Sequence, residues 1–165
     1  MTQPLLREFR WSDIPAITQI YRHYVDHSDV TFDTEPPSEA AMAEKFAHLI
    51  TLGHPLVVAE VDGQTVGYAY ASFYRPRAAY QFTCEDSIYL HPAATGQGLG
   101  KVLLRELLER SKAAGFQQML AVITAGTANS IGLHEQFGFR QVGHLSAVGY
   151  KFDRWLDVVH LQRAL

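Results

Sequence analysis

The chain has 165 residues, 47% of them hydrophobic and 19% charged, with a formal net charge of −3. Those proportions fit one globular domain over residues 1–165 and exclude a disordered, collagenous or coiled-coil chain. The slight acidity gives nucleic acid no footing, and no apolar run approaches the roughly 20 residues that span a bilayer, so neither is an expected partner. A single cysteine, Cys84, has no internal disulfide partner. The first ten residues carry charges where a signal peptide would be apolar, so a cytoplasmic location is expected.

In chain order, Leu5 to Phe9 reads as a short strand. Asp13 is the expected N-cap of a helix with Pro15 in its first turn, where the missing N–H costs little. Ile14, Ile17, Ile20, Tyr21, Tyr24 and Val25 recur at helical spacing up to about Val25. Ser28 to Ser38, with Pro36 and Pro37, reads as a loop, and a second helix follows and stops before Gly53. Leu56 to Val61, the turn Asp62-Gly63 and Thr65 to Tyr74 form a predicted hairpin. Arg75-Pro76-Arg77 interrupts it, and another strand is expected from about Tyr80 to Leu90.

A glycine-bearing loop, His91 to Gly100, precedes a helix marked by Val102, Leu103, Leu104, Leu107 and Leu108 and ended by Gly115. Met119 to Ile123 is a buried-type strand, and Asn129 to Phe137 is a short helix closed by Gly138. Short strands at Phe139 to Val142 and Asp157 to Leu161 complete the chain. Hairpins first and β-loop-α-β units later predict an α/β (α+β) fold, a mixed central sheet flanked by helices.

Gly96-Gln97-Gly98-Leu99-Gly100-Lys101 stands between a predicted strand and helix, where backbone N–H groups at a helix start bind phosphate. It is not a Walker A loop, which needs Gly at Thr95 and Ser or Thr at Val102. It is not a dinucleotide fingerprint either, because the glycines alternate and the downstream acid is missing. A glycine-rich turn without a ligand accounts for the loop equally well at this level. His23 and His27 are one helical turn apart, but without the glutamate of His-Glu-x-x-His they read as a polar helix face, and no metal is expected.

Ile88-Tyr89-Leu90-His91-Pro92 followed by Gly96 to Lys101 resembles the acetyl-CoA pyrophosphate loop of GCN5-related N-acetyltransferases (GNAT). Leu133-His134-Glu135-Gln136-Phe137-Gly138-Phe139 resembles their later helix-turn signature. Thr31-Phe32, Arg75-Pro76 and Gly149 to Asp157 resemble the branch acting on phosphinothricin and methionine sulfoximine. The resemblance implies a GNAT fold and direct acetyl transfer from acetyl-CoA, as co-substrate, to a small amino-acid-like amine. Ile88, Tyr89 and Leu90 would then hold the pantetheine arm. Gly96, Gln97, Gly98, Leu99, Gly100 and Lys101 would meet the pyrophosphate, with Asn129 nearby.

Transfer to an ammonium also needs a base with a pKa near working pH. Glu85, beside Asp86 and just before the loop, reads by itself as a surface strand glutamate in a salt bridge. The resemblance implies that it is the base, and burial with a neighbouring acid would raise its carboxyl toward that role. His134 stands where the family carries a group near the CoA sulfur and would donate to the thiolate or relay the amine proton. Phe32, Arg75 and Tyr80 are the expected acceptor-binding residues, Arg75 because its planar fork matches a carboxylate or phosphinate. A peptide or polyamine acetyltransferase and a non-catalytic CoA-binding regulator remain open alternatives. The resemblance also implies a homodimer.

Overall fold

The computed structural model describes residues 3–165. Its order is β1 (Leu5–Glu8), α1 (Ile14–His27), α2 (Glu39–Thr51), β2 (Leu56–Val61), β3 (Gln64–Phe73), β4 (Thr83–Leu90) and α3 (Leu99–Ala113), followed by β5 (Gln118–Thr124), α4 (Ala128–Gln136), β6 (Arg140–Lys151) and β7 (Arg154–Ala164). One seven-stranded sheet runs β1-β2-β3-β4-β5-β7-β6. Every neighbouring pair is antiparallel except β4 and β5.

Strand alternation assigns the two faces. Val57, Ala59, Ala69, Ala71 and Cys84 turn toward α3, where Leu103, Leu104 and Leu107 are buried against them. Leu56, Val58, Tyr68 and Tyr70 turn the other way, against Ile17, Ile20 and Val25 of α1 and Phe46 and Leu49 of α2. Alanines under α3 admit its leucines closely, while tyrosines fill the wider space beneath α1 and α2. Burying each large side chain contributes about 1.5–3 kcal/mol. Ser38 closes the start of α2, accepting from the Ala41 N–H at 3.1 Å.

Three sequence expectations are corrected. Asp13 does not cap α1 through its side chain; buried, it accepts from Arg7 (2.8 and 2.9 Å), the Arg10 N–H (2.7 Å) and Thr65 (2.9 Å). The strand expected from Tyr80 begins at Thr83, because Tyr80 closes a 3-10 turn whose N–H bonds the Arg77 carbonyl.

The two short C-terminal strands are one long hairpin. Its turn holds Phe152 and Asp153 at φ 52° and 56°, with neither glycine nor asparagine to announce it. A register shift between Leu145 and Gly149 is absorbed at Ala147 (φ 53°), where Asp157 accepts from the Ala147 N–H and from His144. Most of β6 is exposed, so it carries no burial period from which its length could be read.

Candidate active site

The single parallel pair makes the cleft. β4 and β5 are in register only at Thr83↔Gln118, Cys84↔Met119 and Glu85↔Leu120, and then diverge. Bonds from His91 N–H to Val66 and from Tyr74 N–H to Thr83 fix the phase of the β3–β4 ladder. That phase turns the backbone groups of Ile88 and Leu90 away from β3, toward the split. The Leu90 carbonyl accepts from the Tyr24 hydroxyl of α1 at 2.6 Å. The cleft has a volume of about 780 Å³.

At its mouth stands the start of α3. Gly96 and Gly98 adopt φ of 75° and 81°, left-handed angles that favour glycine, and Gly98 is the N-cap. Gly96, Gly98, Gly100 and Lys101 line the cleft. Not all the expected backbone donors are free: the Lys101 N–H already bonds the Gly98 carbonyl at 3.1 Å. Gln97 turns its side-chain amide back to the Ala93 carbonyl, and the Leu99 side chain is buried in the core. Asn129 lies on the opposite lip, in the first turn of α4.

Glu85 and His134 both line the cleft, but they reach it from opposite faces of β4. Glu85 faces the α1–α2 side with no hydrogen-bond partner among the described residues. Burial pushes its carboxyl from an ordinary value of 4.5 up to about 7; Asp86 adds to the rise, while Arg75 and Lys45 pull against it. Asp86 faces the other side and accepts from His134, with Nε2 to Oδ2 at 2.7 Å.

The His134 Nδ1 lies 2.7 Å from the Ser130 carbonyl, which can only accept, so Nδ1 carries a proton. Burial alone would pull this imidazole down, but Asp86 and Ser130 together hold it above its ordinary value. Both ring nitrogens are therefore committed, and the ring is 4% exposed. Cys84 points into the core beside Glu85, its thiol pushed up to about 12 by burial.

Phe32 lines the cleft from the loop between α1 and α2. Arg75 and Tyr80 stand outside its lining, on the exposed turn after β3. The Arg75 guanidinium is 5.0 Å from the Tyr74 ring, and Tyr80 packs edge-on against the same ring. Sequence reasoning passed over Tyr24, Thr124 and Ser130, which also line the cleft. Tyr24 belongs to the helical stripe of α1, and nothing at sequence level marks its hydroxyl. Among the described residues no three His, Cys, Asp or Glu side chains gather around a common point.

The sheet thus splits at its one parallel pair, with a glycine-bearing helix start at the mouth of the cleft and a buried carboxyl, Glu85, at its inner end. A sequence profile of the acetyltransferase (GNAT) family matches residues 17–139, and the chain belongs to that family.

It is 45% identical to a phosphinothricin N-acetyltransferase of Alcaligenes faecalis over 161 residues, covering 97% of this chain and 82% of that one. It is 37% identical to an L-methionine sulfoximine/L-methionine sulfone acetyltransferase of Salmonella typhimurium, covering 93% and 90%. The crystal structure of a phosphinothricin acetyltransferase from Sinorhizobium meliloti in complex with acetyl-CoA superposes with a TM-score of 0.96. That protein is 48% identical, with 100% of this chain and 89% of that one covered.

Proposed function

We propose that this protein transfers the acetyl group of acetyl-CoA to the amine of a small amino-acid-like acceptor of the phosphinothricin, methionine sulfoximine or methionine sulfone type. The observation that carries the reading is Glu85, a carboxyl held near pH 7 at the inner end of a cleft lined by the Gly96–Lys101 loop. The cleft fits acetyl-CoA: split-facing backbone groups at Ile88 and Leu90 suit a pantetheine amide, and the start of α3 suits a pyrophosphate.

Acetyl-CoA supplies the reactive thioester; the chain supplies orientation and proton transfer. Glu85 takes a proton from the acceptor ammonium, directly or through one water, and the freed amine attacks the thioester carbonyl. The split-facing N–H of Ile88, three residues along β4 from Glu85, meets the charge growing on that oxygen, which leaves the Ile88 carbonyl and the Leu90 N–H for the pantetheine arm. The C–S bond then breaks, and CoA leaves as the thiolate and takes the proton that the acylated nitrogen sheds. His134, with both nitrogens engaged, acts through Asp86 as a positioning residue that ties α4 to β4. Donation to the departing sulfur would require giving up the Asp86 bond. Phe32 bounds the acceptor end of the cleft, and Arg75, outside the lining but near enough for its charge to act on Glu85, meets the acceptor's acidic group, with Tyr80 beside it on the same turn.

Following thiol release from acetyl-CoA across a panel of amines tests the reading. Turnover with amino-acid analogues is expected. Turnover with peptides or polyamines alone, or CoA binding with no turnover, overturns it.

The assembly proposed is a homodimer through the β6–β7 hairpin. Support comes from β6 being the sheet's edge strand and from Val142, Leu145, Val148, Tyr150 and Trp155 being exposed on that hairpin. A monomer by light scattering, unaffected by Trp155→Glu, would remove it. A cytoplasmic location is proposed as well; no helix among the described residues is long and apolar enough to cross a membrane.

A further inference from the structure

The C-terminal segment Gly149 to Trp155 carries much of the sequence's distinctiveness, yet none of it lines the cleft. On β6, which is otherwise largely exposed, Gly149 and Lys151 are buried, two residues apart and so on one face. Lys151 is 5% exposed and has no carboxylate within ion-pair distance among the described residues. Its Nζ donates instead to two carbonyls of the loop between α1 and α2, Ser28 at 2.7 Å and Thr31 at 2.8 Å.

The carbonyl between them, Asp29, accepts from the Thr124 hydroxyl at 2.6 Å, and the Asp29 carboxylate pairs with Arg154. Tyr21 reaches Thr31 Oγ1 at 2.8 Å. Gly149 lies under the Phe32 ring so closely that a Cβ there would overlap Cε2, Cζ and Cδ2. A loop with no regular structure of its own is thus held by side chains from β5, β6 and β7, and its one exposed aromatic over the cleft rests on a glycine.

We infer that Gly149 and Lys151 are positioning residues that seat Phe32 at the acceptor end of the cleft and thereby set which amines the enzyme accepts. Burial pulls the Lys151 ammonium below its ordinary value, Asp29, Asp33 and Asp26 offset this only from beyond ion-pair distance, and its hydrogen bonds go only to this loop. The inference rests on the assignment of Phe32 to the acceptor end, made above.

Gly149→Ala is the first test. The backbone at Gly149 is not left-handed, so alanine strains nothing but the contact with Phe32. The acceptor KM should rise about tenfold, as expected when an added methyl overpacks against the Phe32 ring, while the acetyl-CoA KM stays fixed. In a Phe32→Ala background the same substitution should have no further effect, because the overlapping ring is gone. An equal effect in both backgrounds, or a parallel rise in the acetyl-CoA KM, overturns the inference.

Lys151→Met provides a readout that needs no substrate. Amide hydrogen exchange over residues 28–33 should accelerate with α3 unchanged, and Lys151→Arg should restore part of the protection. Unchanged exchange in Lys151→Met overturns the inference. If the wild-type enzyme acetylates only some other class of amine, the substrate assignment fails by itself. The double-mutant cycle is then read on that amine.

Discussion

Glu85→Gln should damage the enzyme and strengthen the fold at the same time, and the pH dependence of each effect is fixed in advance. The Glu85 carboxyl is raised from 4.5 to about 7, mainly because burial disfavours its charged form. Below the unfolded value it is protonated in both states and contributes no difference. As pH rises through the interval it ionises in the unfolded chain but not in the folded one, so stability falls. Above about pH 7 both forms are charged and the full penalty remains, about 3 kcal/mol at ~1.4 kcal/mol per pKa unit.

Glutamine has the same shape and no charge. Urea unfolding should therefore find Glu85→Gln more stable by about 3 kcal/mol near pH 8.5 and level with the wild type near pH 4. Turnover should fall by about 10²–10⁴-fold, the usual range for losing a positioned base. In the wild type, kcat/KM should climb with unit slope up to about pH 7 and then level, and the variant should lose that limb. A variant no more stable at high pH would refute the buried-charge reasoning. One that keeps the wild-type pH profile would refute the assignment of the base.

The buried pair of Asp86 and His134 has the opposite pH dependence. The imidazole's folded value is raised, so its stabilisation is present below the ordinary 6.5 and lost as pH rises through the raised value. Asp86→Asn should therefore lower stability by about 3 kcal/mol near pH 6 and by much less near pH 9, measured by thermal melts across pH. Equal losses at both would show that the pair carries no charge. Cys84, its thiol pushed up to about 12, should react with iodoacetamide far more slowly in the native protein than in urea, and Cys84→Ala should retain turnover. Rapid native alkylation with loss of activity would place it in the chemistry instead. Arg75→Gln should raise KM for carboxylate-bearing acceptors well above any change for neutral amines; equal changes would remove Arg75 from acceptor recognition.

Where the sequence has a burial period or a turn with a fixed chemistry, it and the structure agree closely. The β2–β3 hairpin follows from two β-type runs around Asp62-Gly63, with φ of 50° and 77° at the turn. The α2 cap follows from Ser38, and the start of α3 from its alternating glycines. Agreement fails where those signals are missing. β6 is exposed along most of its length and β7 turns back through Phe152-Asp153, so neither alternation nor a turn residue reveals the hairpin. Asp13 looks like a helix cap because aspartate often is one; its actual partners include Arg7 and Thr65, the latter 52 positions away.

The sequence alone determined the kind of fold, the glycine-bearing turn that starts α3, and Glu85 as a carboxyl just before that turn. These are properties of local pattern, of adjacent residues and of short spacings. Tertiary structure decided everything that depends on separated segments meeting. The divergence of β4 from β5 after Glu85 opens the cleft, and opposite faces of β4 give Glu85 and Asp86 different environments. Asp86 engages a histidine 48 positions on, closing off the free imidazole that the sequence suggested. Lys151 reaches back 123 positions to hold the loop carrying Phe32. Burial and hydrogen-bond partners set charge states and side-chain reach, and chain folding alone supplies them.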